Sequence, residues 1–253
     1  MKKLGLIFVG LMFSGCGGGG GDAFKANYST LKVFSDGSGV VQGKGNDGSR
    51  ALILIPEVTN IVTEANKNSG DSDLDLEMTD FPIVGSTATS TIRQGAVTAE
   101  GLTQNILIYH MDDENGMSLI TIPQYGIKYF LVSGDEFTGN LSGTFSFSGD
   151  QILEGWQVGN FREIGSVTID ADFDNNVFTY NGTTESSSLI GVGVLESDTA
   201  RFTDVDATLT VSGRSYETTI HGLINGSSGK NTTGVFHTND STPDYVGAFS
   251  AKK

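Results

Sequence analysis

One cysteine, four prolines, one tryptophan and three histidines in 253 residues deny this chain several ways of working. A single cysteine, Cys16, excludes an internal disulfide framework and a cysteine-rich metal site. Stability must then come from apolar burial and strand pairing, which a chain of this length can supply. Positive charge is scarce as well, with 15 Lys and Arg against 30 Asp and Glu and a formal net charge of −15. So acidic a surface repels phosphate backbones and anionic head groups, and nucleic acid is not an expected partner. Long hydrophobic runs are missing too. The longest apolar run is Leu4–Phe13, and its ten residues are half of the ~20 that a membrane-spanning helix needs. No Gly-x-Ser-x-Gly elbow occurs, and Gly226-Ser-Ser-Gly-Lys230 lacks the upstream glycine of a phosphate-binding loop. Nothing in the sequence supports catalysis, and the chain is not read as an enzyme.

What is present at the N-terminus is an export signature. Lys2 and Lys3 precede the apolar segment, Ser14-Gly15-Cys16 closes it, and five glycines, Gly17 to Gly21, follow. Residues 1–15 read as a lipoprotein signal peptide. Cys16 reads as the lipidated residue, with 16–27 as a glycine-rich tether. The place three before the cysteine holds Phe13 where an aliphatic residue is usual. Cleavage would remove Lys2 and Lys3, leaving 13 basic against 30 acidic residues and a charge of −17. A flexible tether of this length reaches about 17–20 Å from its anchor. The protein is expected to be held at a membrane by covalent lipid, with no other cofactor.

The remainder reads as all-β, since apolar residues alternate over short runs divided by Gly, Asn, Asp and Pro, with no sustained helical period. Residues 28–132 are expected to form a β-rich N-terminal region, with strands near 31–34, 51–55, 60–63, 89–97, 105–110 and 117–122. Residues 133–253 are expected to form a small eight-stranded antiparallel barrel. Its runs are 143–148, 152–158, 166–173, 177–181, 189–195, 204–211, 216–223, 233–237 and 245–250. Val167, Ile169, Ala171 and Phe173 alternate with Thr168, Asp170, Asp172 and Asp174, giving one apolar and one wet face. No proline falls between Pro123 and Pro243, as a closed sheet requires. Gly191, Gly193, Gly222 and Gly226 are expected to kink or bulge the strands, and the abundant inward Val, Ile and Phe predict a filled lumen.

The order of short motifs in the second half resembles a known pattern. Gly143-Thr-Phe-Ser-Phe-Ser-Gly149 leads to Gly165-Ser-Val-Thr-Ile-Asp-Ala-Asp-Phe-Asp-Asn-Asn176 and Val177-Phe-Thr-Tyr180. Tyr216–Asn225, Gly234-Val-Phe236 and Val246-Gly-Ala-Phe249 follow. This series is similar to the β-barrel domain of the transferrin-binding protein B family of surface lipoproteins. Two departures stand out, at the closing loop Phe236-His-Thr-Asn-Asp-Ser-Thr-Pro243 and at Val246-Gly247, where the family has Gly-Gly. The resemblance implies a β-rich handle or sandwich-like region before the barrel. It also implies capture of a protein or iron-bearing ligand at the outer membrane, for a TonB-dependent channel. The family's partner-contacting residues lie in variable loops, so none is carried over. A structural or adhesive envelope lipoprotein and a small-molecule carrier are the alternative roles.

Other constellations carry weaker chemistry. Asp71, Asp73, Asp75 and Glu77 open like a calcium loop, but Leu76 and Pro82 stand where that loop wants Gly and Glu. Asp170, Asp172 and Asp174 fall on alternate positions of a strand and read as its wet face. His221 and His237 could meet on adjacent strands, yet they lack a spaced third ligand. His110 beside Asp112 and Asp113 reads as a hydrogen-bonded loop end, and Tyr125, Tyr129 and Phe130 as packing between the two halves. No metal site and no catalytic residue is assigned.

Overall fold

The computed structural model describes residues 26–45, 50–55, 58, 81–99, 102–112, 115–122, 127–134, 137, 139, 142–156, 158–159, 161–196, 200–226 and 228–253. Its named elements are all strands. They fall into two compact units, Met1–Ser86 with Thr91–Asp135, and Thr87–Ser90 with Glu136–Lys253.

The first unit is one antiparallel sheet. It contains β1 (Ala26–Val33), β2 (Gly39–Gly45), β3 (Arg50–Ile55), β4 (Ile83–Ser86), β5 (Thr91–Ala99), β6 (Leu102–Asp112), β7 (Asn115–Ile122) and β8 (Ile127–Gly134). The strands lie in the order β1-β2-β3-β8-β7-β6-β5-β4. β3, Arg-Ala-Leu-Ile-Leu-Ile, is buried along its whole length, as a continuous apolar run demands when both faces are covered. Tyr129 and Phe130 are buried on successive positions of β8 and so face opposite sides of the sheet. β2, β4 and β8 were not expected as strands, and the strand expected at 60–63 lies outside the described residues. β2 hides behind three glycines, and Gly39 is needed because a Cβ there would lie 2.0 Å from the Lys32 carbonyl oxygen.

The second unit is a closed eight-stranded barrel, as the sequence predicts. Its strands are β9 (Thr144–Gly155), β10 (Arg162–Asp172), β11 (Val177–Thr183), β12 (Ser187–Val194), β13 (Arg201–Val211), β14 (Arg214–Asn225), β15 (Asn231–Thr238) and β16 (Tyr245–Lys252). β16 pairs antiparallel with β9 and closes the ring, so no strand edge is left open. Nine predicted runs become eight strands because 143–148 and 152–158 belong to one strand. Gly149-Asp150-Gln151 looks like a turn but continues β9, and Gly149 is there because a Cβ would lie 2.0 Å from the Ser250 carbonyl oxygen. The β13–β14 hairpin turns on Ser212 and Gly213, at φ 48° and 83°. Positive φ at both positions of a two-residue loop is the geometry that matches strand twist.

Aromatic rings fill the lumen. Phe178 stacks on Phe202 at 4.0 Å between ring centroids, and Tyr180 meets Phe249 edge-on at 5.1 Å. The Tyr180 hydroxyl donates to Gln151 Oε1 at 2.8 Å. This satisfies the polar tip of the buried ring, while burial raises the phenol's pKa well above its usual value. The inward glycines make room for these rings. At Gly222 and Gly247 a Cβ would lie 2.1 Å from Phe202 and Phe236 ring atoms respectively. Gly191 and Gly193 likewise face Ala207 and Val205. The expected role of these glycines as kinks is therefore corrected to one of space. A register shift does occur opposite Gly222, on β13 between Phe202 and Val205. Gly226, at φ 80°, serves a turn.

Candidate ligand-binding surface

Most of the residues singled out by sequence do not assemble into a reactive site. Cys16, the acidic run from Asp71 to Glu77, Asp113 and Tyr125 lie outside the described residues. His110 and Asp112 lie on β6, Asp112 pairing with Asn115 at the strand end. Asp172 and Asp174 shape the β10–β11 turn. Asp172 accepts hydrogen bonds from Asn175 Nδ2 at 2.8 Å and from the backbone of Asn175 and Asp174 at 3.0 and 3.1 Å. The bonds from the Asn175 side chain and backbone hold its carboxyl below the usual range. Asp174 Oδ1 accepts from the Gly143 amide at 2.9 Å.

His221 and His237 do meet. They lie diagonally across β14 and β15, fully buried, with Nε2 atoms 3.3 Å apart. His237 Nδ1 lies 3.1 Å from the Thr238 carbonyl oxygen and so carries a proton toward it. In the neutral ring its Nε2 then accepts from His221. Among the described residues, no three His, Cys, Asp or Glu side chains gather as metal ligands would.

These histidines belong to a face with an unusual character. From Asp150 on β9, from Thr219 on β14, and along β15 and most of β16, the residues that point away from the lumen are buried, and many are polar: Asp150, Glu154, Thr219, Asn225, Thr233 and Ser250. Burying such groups is costly unless they are hydrogen-bonded. Asp150 Oδ2 accepts from the hydroxyls of Thr87, Thr89 and Ser90 at 2.7, 2.8 and 2.5 Å. Glu154 takes Arg162 Nε at 2.7 Å, and Asn225 Nδ2 donates to Thr233 at 2.9 Å.

The opposite arc, β10 to β13, is open to solvent, and it contains the best candidate surface. On β10, β11 and β13 most outward residues are polar, including Thr168, Asp170, Thr179, Asn181, Asp206 and Thr208, with Ile164 on β10 and Val177 on β11 as exposed exceptions. β12 inverts the rule. Its inward positions after Leu189 are Gly191 and Gly193, while Ile190, Val192 and Val194 point outward at 57%, 60% and 69% exposure. The small inward residues follow from the lumen, because a Cβ at Gly193 would lie 2.6 Å from Val205. Val177 pairs with Val194 and extends the apolar row onto β11. In cross-strand register Val192 is flanked by Thr179 and then Asp170, and Ile190 by Thr208 and then Glu217. A shallow groove beside the row is lined by Ile190, Val192, Asp206, Thr208, Glu217 and Asn239. The arginines nearest this arc are engaged elsewhere: Arg162 with Glu154, Arg201 with Glu196 at 2.6 Å, and Arg214 over the Tyr216 ring. Sequence reasoning missed the row because Ile-Gly-Val-Gly-Val reads as a strand without saying which face is in.

No family model matches the sequence, and no curated protein matches it. Solved structures do. The isotype 1 transferrin binding protein B from serogroup B Neisseria meningitidis superposes with a TM-score of 0.58 at 11% identity, covering 91% of this chain and 43% of that one. A Tyr-167-Ala, Trp-176-Ala double mutant of transferrin binding protein B from Haemophilus parasuis Hp5 gives 0.50 at 10% identity, covering 85% and 53%. The chain thus spans about half the length of the structures it matches. It has a fold like that of transferrin binding protein B, an antiparallel sheet followed by a closed barrel.

Proposed function

We propose that the chain is a lipid-anchored binding protein of the outer membrane, displayed at the cell surface. It would capture a protein or iron-bearing ligand there and present it to an outer-membrane channel of the TonB-dependent kind. The observation that carries this reading is a likeness to a transferrin-binding protein over 91% of the chain, sheet and barrel together. The N-terminus supports it: residues 1–15 act as the signal, Cys16 carries lipid, and 16–27 tether the β-rich region 28–132 and the barrel 133–253. The packed lumen favours recognition by the outer surface over carriage of a small molecule inside. This is binding chemistry, without a catalytic step.

The test is to express the full chain and a Cys16→Ser variant with labelled palmitate. The wild type should take up label and sediment with outer membranes, and the variant should do neither. A variant that stays membrane-bound without label would overturn the anchoring. Purified mature chain should then retain a protein ligand, and failure to retain one would favour the structural envelope role.

A further inference from the structure

We infer that the outward row of β12, with its groove, docks a cationic protein surface whose centre is apolar and whose rim carries Lys or Arg. The inference rests on the binding-protein reading and names the chemistry of the partner.

Three features converge on it. Ile190, Val192 and Val194 stand outward at successive alternate positions, spaced about 7 Å apart along the strand, and Val177 widens the row at one end. The lumen gives the reason that small residues sit inside, since Gly191 and Gly193 face Ala207 and Val205. It gives no reason for large aliphatic residues outside. Thr, also β-branched, would serve the strand there, as Thr179 and Thr208 do on the neighbouring strands. The surroundings then select the partner. Asp206 lies on the adjacent strand, and Asp170 and Glu217 lie two strands out on opposite sides, roughly 10 Å from the row. None of these three carboxylates has a hydrogen bond or ion pair among the described residues.

Charge also removes the competing occupants. A second copy would set the same carboxylates against one another, which is unfavourable. An anionic membrane is repelled by the same rim. The chain's own segment 64–80 carries Glu64, Asp71, Asp73, Asp75, Glu77 and Asp80 against Lys67 alone, so it has the wrong sign. A partner with an apolar centre and basic rim satisfies every exposed group, in the arrangement that protein interfaces favour.

The experiment uses the full mature chain in detergent and three synthetic probes. One peptide has Ile and Val centred between Lys and Arg, the second has those basic residues replaced by Glu, and the third is poly-lysine. The cationic amphipathic peptide should bind, and its hydrogen-exchange footprint should fall on β12 and its neighbours. An Ile190→Ser, Val192→Ser, Val194→Ser variant should weaken it about tenfold or more, as loss of an interface centre does. Asp170→Asn, Asp206→Asn and Glu217→Gln together should weaken it several-fold at low salt and remove much of its salt dependence. These positions are exposed, so near-wild-type melting of both variants would show that the fold survives. Binding unchanged in the triple-serine variant would overturn the inference, as would equal binding of the acidic peptide. Poly-lysine binding that matches the amphipathic peptide would reduce the site to bulk charge and also overturn it. Its failure is separable from failure of the anchoring, since these probes need no cell.

Discussion

From Val167 to Ala171 of β10 every second residue is buried, whereas all eight residues of β15 are. The two strands share one barrel, and both lay every other side chain into the same aromatic lumen. They differ in what is asked of the remaining side chains. On the later parts of β9 and β14, and on β15 and β16, the outward positions are largely removed from water, and paired polar groups hold several of them: Asp150 under three hydroxyls, Glu154 on Arg162, His221 on His237. On β10 to β13 the outward positions need satisfy only solvent, yet β12 places Ile190, Val192 and Val194 there. In the buried arc residue choice is set by folding. In the open arc it is free, and a departure from the polar norm signals another demand on the surface.

The lumen common to both arcs should give the largest effect. Phe202→Ala removes a ring stacked on Phe178 and should cost about 3–5 kcal/mol, read as the shift in urea midpoint. The buried arc comes next. Asp150→Ala strips the acceptor from three hydroxyls and should cost about 1–3 kcal/mol, seen by the same titration.

Glu163 offers a sharper probe at the rim of the open arc. Burial raises its pKa and is the largest single influence, but hydrogen bonds from Ser186 and Thr184 together outweigh it and hold the carboxyl below its ordinary value. A depressed folded pKa means that stability is fully present above the unfolded value, near 4.3, and is lost as pH falls through the lower folded value. Glu163→Gln should therefore lie below wild type in melting temperature at pH 7, and the gap should close as pH falls below about 4. A constant gap would contradict the assignment. The smallest effect belongs to the open arc, where Val192→Ser should change stability by less than about 0.5 kcal/mol. A loss of several kcal/mol there would erase the contrast between the arcs.

Much of the barrel was legible because its strands obey the period-two rule where water is on one side. Ser166–Asp174 and Asp204–Val211 show it plainly. β15, β16 and β14 beyond Glu217 have little such contrast to display, since both of their faces are buried, and only apolar content and turn spacing announce them. The false break at Gly149-Asp150-Gln151 shows the limit of turn composition. Glycine there answers a close backbone approach from β16, a long-range fact that local sequence does not encode. The apolar row on β12 was hidden for a related reason, because only the lumen decides which side of Ile-Gly-Val-Gly-Val faces in. His221 and His237 could be named as neighbours from strand order, but their 3.3 Å separation depends on the register of β14 and β15.

The most direct test of the surface-receptor reading is protease shaving of intact cells expressing the full chain with a C-terminal tag. The account predicts that the tag and barrel fragments are released while a periplasmic marker stays intact. Protection that ends only when the outer membrane is permeabilised would contradict it and place the protein on the periplasmic side.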